Sequence, residues 1–76
     1  MSYVKAFLSE YEEMGNKFDY KDYESIPTFI REIIEDEADV RNFSKVPLTE
    51  INWMLNDLFE EMNYNNQPES IGVYDD

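Results

Sequence analysis

The sequence predicts an all-α fold, a small three-helix domain over residues 1–66 followed by an extended polar and acidic C-terminal tail over 67–76. Three observations carry this. Apolar residues recur at helical spacing in three separate stretches. Each stretch opens on a residue suited to a helix start, and turn formers separate them. The composition, 42% hydrophobic and 16% aromatic, is too rich in large apolar side chains for a disordered acidic chain. A 76-residue chain buries only about 60% of its unfolded surface, so these aromatics must fill one compact core.

The first stretch runs from Ser2 to Met14. At about 100° per residue, Val4, Phe7, Leu8, Tyr11 and Met14 share one side, with Tyr3 at its edge. Ser2 suits the N-cap and Gly15 the stop. Residues 16–24 mix charges and turn formers with aromatics and read as a loop or short helical turn, pinned to the core by Phe18, Tyr20 and Tyr23. The second helix starts at Ser25-Ile26-Pro27, where proline fits the first turn because its missing N–H would have no partner there. Ile26, Phe29, Ile30, Ile33 and Ile34 form its apolar stripe, and Thr28, Glu32, Glu35 and Asp39 the opposite face. Glu37 falls inside the apolar stripe, so the helix is expected to end or fray near Asp36–Ala38. Residues 40–46 connect to the third helix, announced by Pro47. There Leu48, Ile51, Leu55, Leu58, Phe59 and Met62 lie within roughly 100° of one another. Asn63, Asn65, Asn66 and Pro68 close it. Ile71, Val73 and Tyr74 are the apolar residues of the tail, which either docks on the body or stays loose.

Cysteine and histidine are both absent. That excludes disulfides, a thiolate nucleophile and a Cys/His zinc site, and removes the usual acid–base residue near neutral pH. With no disulfides, signal peptide or membrane span in the sequence, a cytoplasmic protein is expected. No arrangement suggests an enzyme. Glu12/Glu13 and Glu60/Glu61 are adjacent in sequence and do not converge from their own helices. The acidic run at 35–39 has no phosphate-binding Gly-Lys loop to accompany it. Asp19-Tyr20-Lys21-Asp22 lacks the ligand spacing and the glycine of a calcium loop. No cofactor and no dedicated metal site are expected.

The charge balance is the strongest signal. Eighteen acids oppose six bases, a net charge of −12. Two carboxylates 6 Å apart in water repel by about 0.7 kcal/mol, and such repulsion works against a small core. Direct binding to nucleic acid or to an anionic membrane is disfavoured, since both need Lys/Arg footprints. Residues three or four apart on a helix have Cβ atoms about 5–6 Å apart, comparable with neighbouring phosphates on one nucleic-acid strand. An acidic helix face can therefore present carboxylates to Arg and Lys much as a phosphate backbone does. The competing reading, a merely solvated helix face, normally shows Lys interleaved with Glu. Here no Lys or Arg follows Lys45, while residues 46–76 hold Glu50, Asp57, Glu60, Glu61, Glu69, Asp75 and Asp76.

Trp53 projects about 160° from the centre of the third apolar stripe, among Glu50, Asp57 and Glu60. It reads either as an interface anchor able to stack on an arginine or as a residue covered by the tail or the loop aromatics. The candidate partner-binding set is Glu32, Glu35, Asp36, Asp39, Glu50, Trp53, Asp57, Glu60 and Glu61.

Residues 19–40, from Asp19-Tyr20-Lys21-Asp22-Tyr23 through Ile33-Ile34-Glu35-Asp36-Glu37-Ala38-Asp39-Val40, resemble a pattern in small acidic phage proteins, where a tyrosine- and aspartate-rich turn leads into an amphipathic helix. The overall character is similar to phage antirestriction proteins of the DNA-mimic kind and to acidic anti-CRISPR proteins. The resemblance covers about a quarter of the chain. It implies an inhibitor that occupies the basic DNA or guide-RNA channel of a host restriction or CRISPR nuclease, in the host cytoplasm, and it is compatible with a homodimer. The alternative is a non-enzymatic adaptor or antitoxin-like module that binds a partner through Trp53, Tyr64 and the Ile71–Tyr74 tail.

Overall fold

The computed structural model describes residues 2–65, with side chains for 4–64. Helix α1 spans Ser2–Glu13, α2 Thr28–Glu37 and α3 Leu48–Asn65, with single 3₁₀ turns at Tyr23–Ser25 and Phe43–Lys45 between them. No strand occurs among the described residues. The expected three-helix, all-α architecture is what forms; the boundary near 66 and the tail lie outside the described residues.

The ends of α1 differ in how they match the sequence. Ser2 is the first helical residue and not, as expected, the residue before it. Gly15 stops the helix as expected. Its φ is +84°, its N–H bonds the Glu12 carbonyl at 3.1 Å, and the Asn16 N–H bonds the Tyr11 carbonyl at 3.0 Å. This is the paired C-terminal closure that glycine enables by entering the left-handed region without a Cβ.

Both prolines act one step earlier than the first helical turn. Pro27 is the N-cap of α2, with φ −63° and ψ 157°, and its carbonyl accepts from the N–H groups of Ile30 and Arg31 at 3.1 and 3.2 Å. Pro47 does the same for Glu50 and Ile51 at 2.9 and 3.0 Å.

Helix α2 ends at Glu37 with Ala38 as C-cap, within the window expected from Glu37. One correction follows. Asp39 is not on the outward line of α2: it lies beyond the C-cap at φ +56°, a left-handed conformation that a Cβ makes costly. Replacing it by glycine relieves that strain and removes an anion from a helix C-terminus. Asp39→Gly is expected to stabilise the fold by about 1 kcal/mol, seen as a rise of roughly 4–8 °C in Tm by circular dichroism.

The core is built from all three apolar stripes. Phe7, Phe18, Ile30, Ile34, Ile51 and Leu55 are essentially inaccessible, and Ile26, Ile33 and Leu58 join them. Tyr11 of α1 stacks on Phe59 of α3 with ring centroids 3.6 Å apart, and Phe7 stacks on Phe18 at 4.8 Å. Phe43, given no role by the sequence pattern, is buried in the second 3₁₀ turn. The Arg31 guanidinium lies over its ring at 5.0 Å and donates to the Tyr23 carbonyl at 3.3 Å, and the Tyr23 hydroxyl donates to the Val46 carbonyl.

The loop between α1 and α2 is held by two asparagines the sequence did not mark. The side-chain amide of Asn52 accepts from the Tyr20 N–H at 2.8 Å and donates to the Tyr20 carbonyl at 3.0 Å. Asn56 repeats this with Phe18, accepting at 3.1 Å and donating at 3.1 Å. The match is geometric: two residues along an extended chain advance about 6.6 Å, and four along a helix about 6 Å. Each amide therefore serves the backbone as a strand neighbour would. The loop is clamped to α3 with Phe18 and Tyr20 turned into the core.

Beyond Tyr20 the clamp has a polar end. The Tyr20 hydroxyl donates to Glu10 Oε2 at 2.6 Å. Burial, reinforced by that bond to a carboxylate, raises the phenol above its ordinary pKa of 10.0. The unfolded phenol ionises near 10 while the folded one stays protonated, so its contribution to stability is whole below pH 10 and is lost as pH rises beyond it. The loss approaches about 1.4 kcal/mol per pH unit. Urea midpoints measured between about pH 9 and 11 are expected to fall less steeply for Tyr20→Phe than for the parent.

Candidate protein-interaction surface

Every residue of the candidate set, Glu32, Glu35, Asp36, Asp39, Glu50, Trp53, Asp57, Glu60 and Glu61, is exposed. On α3, Glu50, Trp53, Asp57, Glu60 and Tyr64 follow one another at steps of three or four, so they form one outward line along the helix, with Glu61 at its flank. Trp53 is 68% exposed and Tyr64 66%. Of the two readings of Trp53, cover by the loop aromatics does not occur among the described residues; cover by the tail concerns residues outside them. The loop comes alongside it, with Lys17, Phe18 and Asp19 sharing a shallow recess with Thr49, Asn52, Trp53 and Asn56. The asparagine clamp fixes the loop at that distance, leaving the indole in solvent.

At the C-terminal ends of α1 and α2 the carboxylates are placed against the electrostatics of their own helices, whereas Glu50 of α3 sits favourably in a first turn. A helix C-terminus carries partial negative charge and is stabilised by Lys or Arg. Yet α1 ends on Glu12-Glu13 and α2 on Glu35-Asp36-Glu37, and no base occupies the last turn of α1, α2 or α3. Neither α1 nor α2 has an acid in its first turn, where one would help.

Two of the six bases are engaged elsewhere. Arg31 is engaged with Phe43 and Tyr23, as described above. Lys21 pairs with Asp19 at 2.7 Å, an exposed contact that holds the Asp19 carboxyl below its ordinary pKa by a hydrogen bond and by charge. Surface pairs of this kind contribute about 0–1 kcal/mol, and neither partner belongs to the candidate set.

The helices meet at a second recess, of about 290 Å³, lined by Val4 of α1, Glu32, Ile33, Asp36 and Glu37 of α2, and Met62 of α3. It joins the acidic end of α2 to the C-terminal half of α3. Val4, Glu37 and Met62 were not singled out as site residues. Glu37 carried a signal, as a charge inside an apolar stripe. The meeting of Val4 with Met62 depends on helix packing and has no trace in local sequence.

No group of three or more acidic residues among the described residues is arranged to hold a metal ion, and no described helix is long and apolar enough to cross a membrane. No protein-family model matches the chain, and no curated protein or solved structure gives a significant match.

Proposed function

We propose that this chain is a DNA-mimic protein that acts by binding and not by catalysis, occupying the basic nucleic-acid groove of a host defence nuclease of the restriction or CRISPR type. The observation that carries the reading is the placement of acids at helix C-termini without counter-charge, described above. Each such charge costs stability, and violations of local rules concentrate where function requires them. The candidate carboxylates of α2 and α3 would pair with arginines and lysines of the groove, with Trp53 stacking on one of them. Association would be fast and salt-sensitive. The proposed setting is the cytoplasm of the host cell. The test is affinity capture from bacterial lysate with competition by duplex DNA and by RNA. The expected result is a nucleic-acid-binding protein that either competitor displaces; a captured partner indifferent to both would sink the mimicry.

A second reading is favoured by one observation, the exposure of both Trp53 and Tyr64 on the same line of α3. Large aromatics in solvent are typical anchors of protein interfaces, so an adaptor or antitoxin-like module binding through apolar contacts fits them. The Ile71–Tyr74 part of that reading lies outside the described residues. Salt separates the two readings. Charge pairs at the surface are screened beyond about 8 Å at physiological ionic strength and apolar burial is not, so capture that survives high salt and is lost in Trp53→Ala supports the adaptor.

A further inference from the structure

We infer that the recess among the three helices is the seat of a single arginine side chain supplied by the basic partner. This inference rests on the mimicry reading and adds where the contact is anchored. The recess is amphipathic in the order an arginine requires. Val4, Ile33 and Met62 supply apolar surface, and Glu32, Asp36 and Glu37 supply carboxylates. Ile33 is 2% exposed, which places it at the floor. An arginine buries its methylene stem along apolar surface while its head stays polar.

The charge pattern selects the occupant. A wholly apolar group would bury against carboxylates and leave them desolvated without a partner. Glu32 is already engaged within the chain, so the guanidinium is assigned to Asp36 and Glu37. Both sit in the last turn of α2, where the helix dipole adds to the attraction for a cation. Either carboxylate can accept two parallel N–H bonds from a planar guanidinium, a match that the compact ammonium of lysine cannot make. The size agrees: pockets for drug-sized ligands run about 300–1,000 Å³, and a recess of about 290 Å³ suits one long side chain. Unlike the outward line of α3, which offers charge on a convex face, this site excludes water from the stem it holds.

The experiment titrates acetyl-Gly-Arg-Gly-amide into the full chain carrying ¹³C-labelled Val, Ile and Met methyl groups, followed by NMR. The expected result is saturable shifts at Val4, Ile33 and Met62, half-complete at roughly millimolar peptide. The same shifts should need severalfold more of the lysine peptide and more than tenfold more arginine peptide in Asp36→Asn/Glu37→Gln, whose changes are on exposed residues and preserve shape. Equal shifts from the uncharged citrulline peptide, shifts that arise on concentrating the protein alone, or no response at these methyls would each overturn the arginine seat. Val4→Phe, which fills the recess and keeps every carboxylate, separates this failure from failure of the mimicry reading. Captured partner that binds Val4→Phe as tightly as the parent, and is still displaced by DNA, would refute the seat alone. Loss of displacement by nucleic acid would refute the reading beneath it.

Discussion

Asn52→Ala/Asn56→Ala is expected to abolish cooperative folding at 37 °C, the largest stability effect of any change on α3 that leaves its apolar stripe intact. Each asparagine satisfies one N–H and one carbonyl of the loop, on Tyr20 and Phe18. Both loop residues are buried, so truncation leaves backbone groups without partners in a partly dry environment. Losing such a partner costs about 1–3 kcal/mol per group, and the double variant strands four groups. A domain of this size has roughly 4–11 kcal/mol in total. The stranded groups therefore consume most or all of it. Alanine is also the better helix former by a few tenths of a kcal/mol, which works in the opposite direction and is too small to matter. Chemical denaturation followed by circular dichroism checks this, and single variants that each strand two groups and lose about 2–6 kcal/mol would locate the loss in the clamp. A double variant as stable as the parent would mean the loop is held by Phe18 and Tyr20 packing alone.

The same asparagines mark the limit of what the sequence made legible. Helix positions could be read because burial there is periodic: Phe7, Ile30, Ile33, Ile34, Ile51 and Leu55 each fell on an apolar stripe and are buried. The loop aromatics Phe18 and Tyr20 were legible because large rings in a charged segment have nowhere else to go. Asn52 and Asn56 were not, since a polar residue at the border of a helical stripe usually faces water, and only the incoming loop gives it a partner. Phe43 was missed for the converse reason, being one aromatic in a short linker with no period to place it. At the candidate surface, the exposure of the acids followed from the helical wheel. The left-handed turn that removes Asp39 from α2 did not, because glycine or asparagine usually fills that position. The exposed indole of Trp53 was left open by the sequence, and the clamp decided it.

Reversing Glu32, Glu35 and Asp39 together to lysine is expected to abolish partner binding while leaving the fold as stable as the parent or more so. The two halves of this outcome come from the same placement. The change moves the net charge from −12 to about −6, which lowers the self-repulsion that opposes compaction. It also sets cations near the C-terminal end of α2, where each favourable interaction with the dipole contributes about 0.3–1 kcal/mol. Both effects favour the native state, and lysine at the two helical positions preserves helix propensity. The interaction that Glu32 makes within the chain and the left-handed φ of residue 39, which suits aspartate better than lysine, take back part of the gain. Against a basic groove the sign is opposite. Three attractive charges become repulsive, and like charges brought together at an interface cost several kcal/mol, so affinity falls by at least a hundredfold. Thermal unfolding and partner capture on one preparation read both halves. A stable variant that binds normally would remove this surface from the proposed function. A variant that loses binding and stability together would show that these acids serve the fold, and would leave their position at the helix end without a functional cause. Stability gained and binding lost together is the signature of charge retained for a partner at the expense of the helix that carries it.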